Sequence, residues 1–284
     1  MRRLLVAALL LVYVPGCPPP PRRVLDPIPI DQAIGIVNNN MSRIATCLRA
    51  EGSAAGHFTV ADGGRHRFDL RAVFFVTAPR HLYLTLKSGL GTEEVLLGSN
   101  QEKYWLHVKR DDDTYRFGTH AGLEGDMESP MPLRPDMVIE ALGLNGLPEQ
   151  TVGAGGPVQR IVEEHQQLIF LAYTSKGQGI ICKEYWLDRY EPRLLRRILF
   201  RDGMGRVVMD SQLDNYRQPG NEGPLLPHRV RVEWPLEGGM LDFRISRWHP
   251  RPDRGTDHLA FVAPHERGQA YTHMIDLDGE RPRP

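Results

Sequence analysis

Eleven histidines and 35 acidic residues are spread over 284 positions, enough to build a catalytic or metal site wherever spacing gathers them. His57 and His66 fall in one hairpin; His258, His265 and His273 fall in the C-terminal stretch. None forms an i, i+4 pair on a helix, and no G-x-S-x-G nucleophile signature occurs, so these histidines read as surface residues. The run Asp111–Asp113 lacks the glycine and the terminal glutamate of a calcium loop and reads as an exposed turn. "GAGGP" (Gly153–Pro157) has neither P-loop spacing nor a following Lys-Ser/Thr, so it is a connector rather than a phosphate cradle. Asn40-Met41-Ser42 matches a glycosylation sequon but falls inside a helical stretch. Cys47 and Cys182 read as two buried thiols, although an exporting compartment would permit a disulfide. No catalytic residue, metal or cofactor is assigned on these grounds.

The chemistry that spacing does support is covalent and N-terminal. Arg2 and Arg3 precede an apolar run, Leu4–Val14, which stops at Gly16-Cys17. Eleven residues are too few for a bilayer span, which needs about 20, but a cationic start, a short apolar run and a small residue describe an export signal. Val14-Pro15-Gly16-Cys17 resembles the bacterial lipoprotein signal, aliphatic–x–small–Cys, with Pro15 unusual in that pattern. The resemblance implies that residues 1–16 are removed and that Cys17 carries acyl chains on its sulfur and its amine. Each buried methylene contributes about 0.8 kcal/mol and a single chain anchors only marginally, so two or three chains hold firmly. Six prolines in "PPPPRRVLDPIP" then make residues 17–29 a stiff, extended tether.

Without residues 1–16 the chain has 268 residues, and 33 basic against 35 acidic side chains. That length suits one large all-β domain. A balanced charge gives no basic stripe for nucleic acid. Ile30, Ile34, Val37, Met41, Ile44 and Leu48 recur at steps of three and four, so the spacing predicts one helix over 30–48 with Gly52 as its terminator. Asn38, Asn39, Arg43 and Arg49 make up its polar face. Strands alternate from His66 to Ser88 around the turn Ala78–Arg80, and three short strands follow up to His120. Pro135 and Gly143 bracket a second helix, "RPDMVIEALGL". The second half alternates from "QQLIFLAYTS" to "GMLDFRISRW", with "RDGMGR" and "LEGGM" as hairpin loops. Residues 249–284 read as a loose extension or one added strand near Tyr271–Leu277. Ten or eleven antiparallel strands must curl, and a striped helix laid in the hollow satisfies both patterns.

In this order the segments resemble the outer-membrane lipoprotein carrier and receptor (LolA/LolB-like) superfamily. The resemblance rests on "IVNNNMSRIATCLRAEG", "APRHLYLTLKSGLGTEEVLLGSNQEKYWLHV" and the meander from "EYWLDRY" to "LDFRISR", roughly residues 30–248. It implies an α+β fold in which a curved antiparallel sheet forms a half-open barrel around a helix, enclosing an apolar cavity for acyl chains. Parity nominates Phe74, Val76, Leu82, Leu84, Leu86, Leu106 and Ile44 as its lining. Relatives ferry or receive lipoproteins, bind glycolipids or sense envelope stress, so the expected ligands are lipid or lipoprotein acyl chains. The runner-up is an envelope protein partner bound by the same fold with a filled core. Cys17 implies a chain that works in place on a membrane, and Pro18, where some inner-membrane lipoproteins carry aspartate, favours the periplasmic side of the outer membrane. "MESPMPLRP", with Met127, Met131 and Leu133, is the candidate for a mobile apolar loop.

Overall fold

The computed structural model describes residues 23–59, 65–110, 113–123, 133–148, 156–174, 176–220 and 223–279. Cys17, the export signal, Asp111, Met127, Met131 and most of "GAGGP" lie outside them. The helices are α1 (Ile30–Met41), α2 (His120–Leu123) and α3 (Pro135–Ala141). The strands of the first half are β1 (Cys47–Thr59), β2 (Arg65–Thr77), β3 (His81–Lys87), β4 (Glu93–Ser99), β5 (Lys103–Val108) and β6 (Thr114–Thr119). Those of the second half are β7 (Val158–Val162), β8 (His165–Tyr173), β9 (Gly179–Asp188), β10 (Leu195–Arg201), β11 (Val207–Asp214), β12 (Arg229–Trp234) and β13 (Gly239–Arg251); β14 (His273–Asp276) comes last. All fourteen form one unclosed sheet in the order β14-β6-β5-β4-β3-β2-β1-β13-β12-β11-β10-β9-β8-β7. Every pairing is antiparallel except β14 on β6.

Two expectations need correction. The apolar stripe over 30–48 is not one helix: α1 stops at Met41, and Cys47 already opens β1. Ile44 and Leu48 keep the spacing because a turn and then a strand carry them to the same core as Ile34 and Val37. Gly52 ends no helix. It lies within β1 at a bulge against β13, where a Cβ would run into the Arg244 carbonyl, so only glycine fits. The strand count is also higher than expected, with β1 and β7 additional. In the middle of β1 the inward positions are Ala50, Gly52 and Ala54, between the bulkier Leu48 and Phe58 nearer its ends. Those small residues let Phe74 on β2 and Phe243 on β13 meet across β1, with ring centroids 5.1 Å apart.

One large apolar core fills the inner face, joining α1, α3 and the inward residues of nearly every strand. The polar face of α1 is not simply solvated. Asn38 accepts from the Leu147 amide (2.7 Å) and donates to its carbonyl (3.0 Å), while Asn40 does the same with Leu225 at 2.8 Å each way. These paired bonds tie α1 to the loops that follow α3 and β11.

Outer faces differ along the sheet. Over β3–β6, the outward residues Leu96, Trp105 and Tyr115 form a second buried cluster with Ala263 from the C-terminal segment, and Tyr83, Phe117 and Tyr271 pack around it. The stretch after β13, expected as a loose extension or one added strand near Tyr271–Leu277, packs on the sheet at Ala260, Phe261 and Ala263 and carries β14 (His273–Asp276). His265 bonds the Tyr115 hydroxyl at 2.8 Å, and His258 accepts from the Ala260 amide at 3.0 Å. Both histidines, expected at the surface, are half-buried structural groups because the segment that carries them covers the sheet. Asp113 is bonded to His107 (2.8 Å) and Thr272 (3.0 Å) in the same layer.

Candidate functional site

Helix α3 starts with Pro135 at its first position, where a missing N–H costs nothing. It ends where Gly143 takes φ +68° beside the Leu213 side chain. Ser211 donates to the Ala141 carbonyl at 2.6 Å, fixing that end on β11. Between α3, the turn after α1 and β9 opens a cleft of about 450 Å³, within the range of small-molecule sites. Its walls are Met41, Ile44, Ala45, Ala78, Pro79, Leu144 and Pro148, and its polar groups include Glu140, Lys183, Tyr185 and Asn145. A second cavity of about 740 Å³ lies along α3 and β10, lined by Met137, Ile180, Cys182, Phe200 and Met204 together with Arg134, Asp136, Arg201 and Asp202.

Glu140 and Lys183 line both spaces, so one ion pair stands at their junction. The Lys183 ammonium donates to the Glu140 oxygens at 2.9 and 3.1 Å and lies 4.6 Å from the Phe200 ring centroid. The Tyr185 hydroxyl donates to the same carboxylate. Burial, reinforced by the Glu140 charge, pushes this hydroxyl well above its ordinary pKa. It therefore stays protonated, a donor and a poor nucleophile. Cys182 is free, as is Cys47, and its thiol donates to the Phe170 carbonyl at 3.3 Å. Burial raises the Cys47 thiol and keeps it unreactive. Among the described residues, no group of three or more His, Cys, Asp or Glu could hold a metal.

Of the seven residues nominated as cavity lining, Phe74, Val76, Leu82, Leu84, Leu86 and Leu106 sit in the sealed core, none more than 2% exposed. Ile44 lines the cleft. The hollow beneath the sheet is filled by α1, α3 and the leucines that follow α3, Leu142, Leu144 and Leu147, and the cleft and the second cavity open beside α3. Sequence reasoning missed Glu140, Lys183 and Tyr185. The signal was present: Lys183 interrupts the apolar alternation of β9, and Glu140 interrupts "MVIEAL" on α3.

The chain thus forms an open, curved antiparallel sheet with helices in its hollow, the architecture expected from the sequence. No family model and no curated protein matches the sequence. Among solved structures, the chain is similar to a DUF1329 family protein from Desulfovibrio piger (12% identity, 83% of this chain and 100% of that one, TM-score 0.49). It is also similar to a putative outer membrane lipoprotein-sorting protein domain from Vibrio parahaemolyticus (12%, 79% and 94%, 0.46) and to a LolA superfamily protein from Nitrosomonas europaea (11%, 78% and 95%, 0.45). At such identities the likeness concerns the course of the backbone alone. Among the described residues no helix is long and apolar enough to cross a membrane.

Proposed function

We propose that this chain is a non-enzymatic envelope lipoprotein, held by acylated Cys17 on the periplasmic side of the outer membrane, that binds a lipid or lipoprotein acyl chain during lipoprotein localisation or lipid transfer. The cleft beside α3 carries the reading: an apolar wall from Met41 to Pro148 meets a polar cluster, Glu140–Lys183–Tyr185, at one end, which suits an amphiphile with one polar end. Burial of a tail there is favourable by about 25 cal/mol per Å² of apolar area. The test is displacement of a fluorescent fatty acid from the full chain. Saturable binding that weakens when Ile44→Trp fills the cleft is expected. Absence of displaceable binding would sink the proposal. The packed hollow under Phe74 and Leu84 favours one second reading, an anchored module that docks an envelope protein through its surface. Co-purification of one stoichiometric protein, with no lipid, would support it.

A further inference from the structure

On the outer face, pairing register aligns one residue from each of five adjacent strands: Arg229 on β12, Arg244 on β13, Ser53 on β1, Arg71 on β2 and Lys87 on β3. Each stands directly opposite the next, and at the usual interstrand spacing the row spans about 19 Å. Arg229 faces Arg244, and Arg71 faces Lys87. Like charges opposed in this way destabilise a sheet, and the acids nearby match only the outer two: Asp242 bonds Arg229, and Glu93 on β4 stands opposite Lys87. Asp242 serves Arg229 at 2.9 Å and reaches Arg244 only at 3.9 Å, while the Arg244 side chain is 70% exposed. Arg71 is exposed and makes no ion pair among the described residues. The neighbouring outer surface is arranged otherwise: Arg196, Arg197, Arg201 and Arg206 each bond a carboxylate at 2.6 or 2.7 Å. Among the described residues, Arg71 and Arg244, on either side of Ser53, are thus the two cations of the row without a close carboxylate.

We propose that this row docks the protein on the anionic headgroups of a membrane leaflet. The cations are spread across a sheet surface rather than gathered in a pocket, so their complement is a layer of phosphates. The proposal does not depend on acylation of Cys17 or on the cleft.

The experiment is co-sedimentation of the full chain carrying Cys17→Ser with vesicles of phosphatidylcholine alone or mixed with phosphatidylglycerol. Binding to the anionic vesicles only is expected, with loss at high salt as the Debye length shrinks. Combining Arg71→Gln with Arg244→Gln lowers the partition about 30-fold, Arg71→Lys with Arg244→Lys retains it, and Arg206→Gln leaves it unchanged. A thermal melt of each variant separates unfolding from lost contact. Equal binding to both vesicle types, no binding to either, or indifference to the Arg71/Arg244 pair overturns the proposal. The fatty-acid assay with the same chain reads the cleft independently.

Discussion

Trp105 on β5 and Trp186 on β9 both point out of the sheet, yet the first is fully buried and the second half-exposed. Trp105 lies flat over Gly98 on β4, where a Cβ would strike its ring, and the C-terminal segment closes the layer above. Trp186 instead sits under the Arg197 guanidinium at 5.4 Å and donates to Glu184 at 3.3 Å. Around it runs a ladder in which Arg201 donates to Glu184 at 2.6 Å and Arg197 to Asp210 at 2.6 and 2.9 Å. The same sheet therefore finishes its outside in two ways. One half uses aromatic residues and must recruit a cover, while the other uses matched charges and can face water bare.

The sharpest way to break this contrast is truncation of the tryptophans. Trp105→Ala should cost about 3–5 kcal/mol in urea unfolding, and Trp186→Ala less than half of that; equal losses would erase the distinction. Next comes the ladder. Arg201→Ala leaves the buried Glu184 carboxylate without its cation and should cost about 2–3 kcal/mol. Arg231→Ala, which removes an exposed pair with Glu233, should cost under about 1 kcal/mol. A smaller effect tests the cover itself. Tyr115 and Tyr271 stack at 4.3 Å, and a double-mutant cycle to leucine should show a coupling of about 0.5–1.5 kcal/mol.

Acid should act locally. Burial lowers the His81 and His120 imidazoles, and His258 is lowered by burial and then by Arg254. His81 meets Phe261 edge to face, His258 stacks on Phe75, and His120 bonds the Asn100 carbonyl. Because the folded values lie below the unfolded one, the unfolded chain takes up protons first as the pH drops through about 6.5. Stability contributed by the neutral rings is present above that point and is lost below it. His228 is lowered in the other half as well, so the discriminating measurement is hydrogen exchange. Protection of residues 252–279 should fall earlier than that of β10–β12 between about pH 7 and about pH 5.

Parity made most of β2–β6 and β8–β13 legible, because one face of each is apolar and the other polar or covered. It failed on the middle of β1, whose inward residues there are Ala50, Gly52 and Ala54: small side chains that admit a ring pair carry no hydrophobic signal. It failed differently at Ile44 and Leu48, where apolar residues at helical spacing serve a turn and a strand. Proline and charge after His249 suggested looseness, because the contacts that order this stretch are made with residues far away in the chain. The cleft was the least legible. Its polar groups come from α3 and β9, and its apolar rim from turns whose meeting place depends on tertiary packing.

The parallel pairing of β14 on β6 sets an order of events. The partners Thr272 and Asp113 are 159 residues apart, so a stretch synthesised late seals a surface made much earlier. Contacts of such separation form late and slowly. Until they do, a nascent chain shows Trp105, Tyr115 and Leu96 to its neighbours, the state in which sticky intermediates arise. Losing the final thirty or so residues would therefore leave a chain able to pleat its sheet but prone to clump.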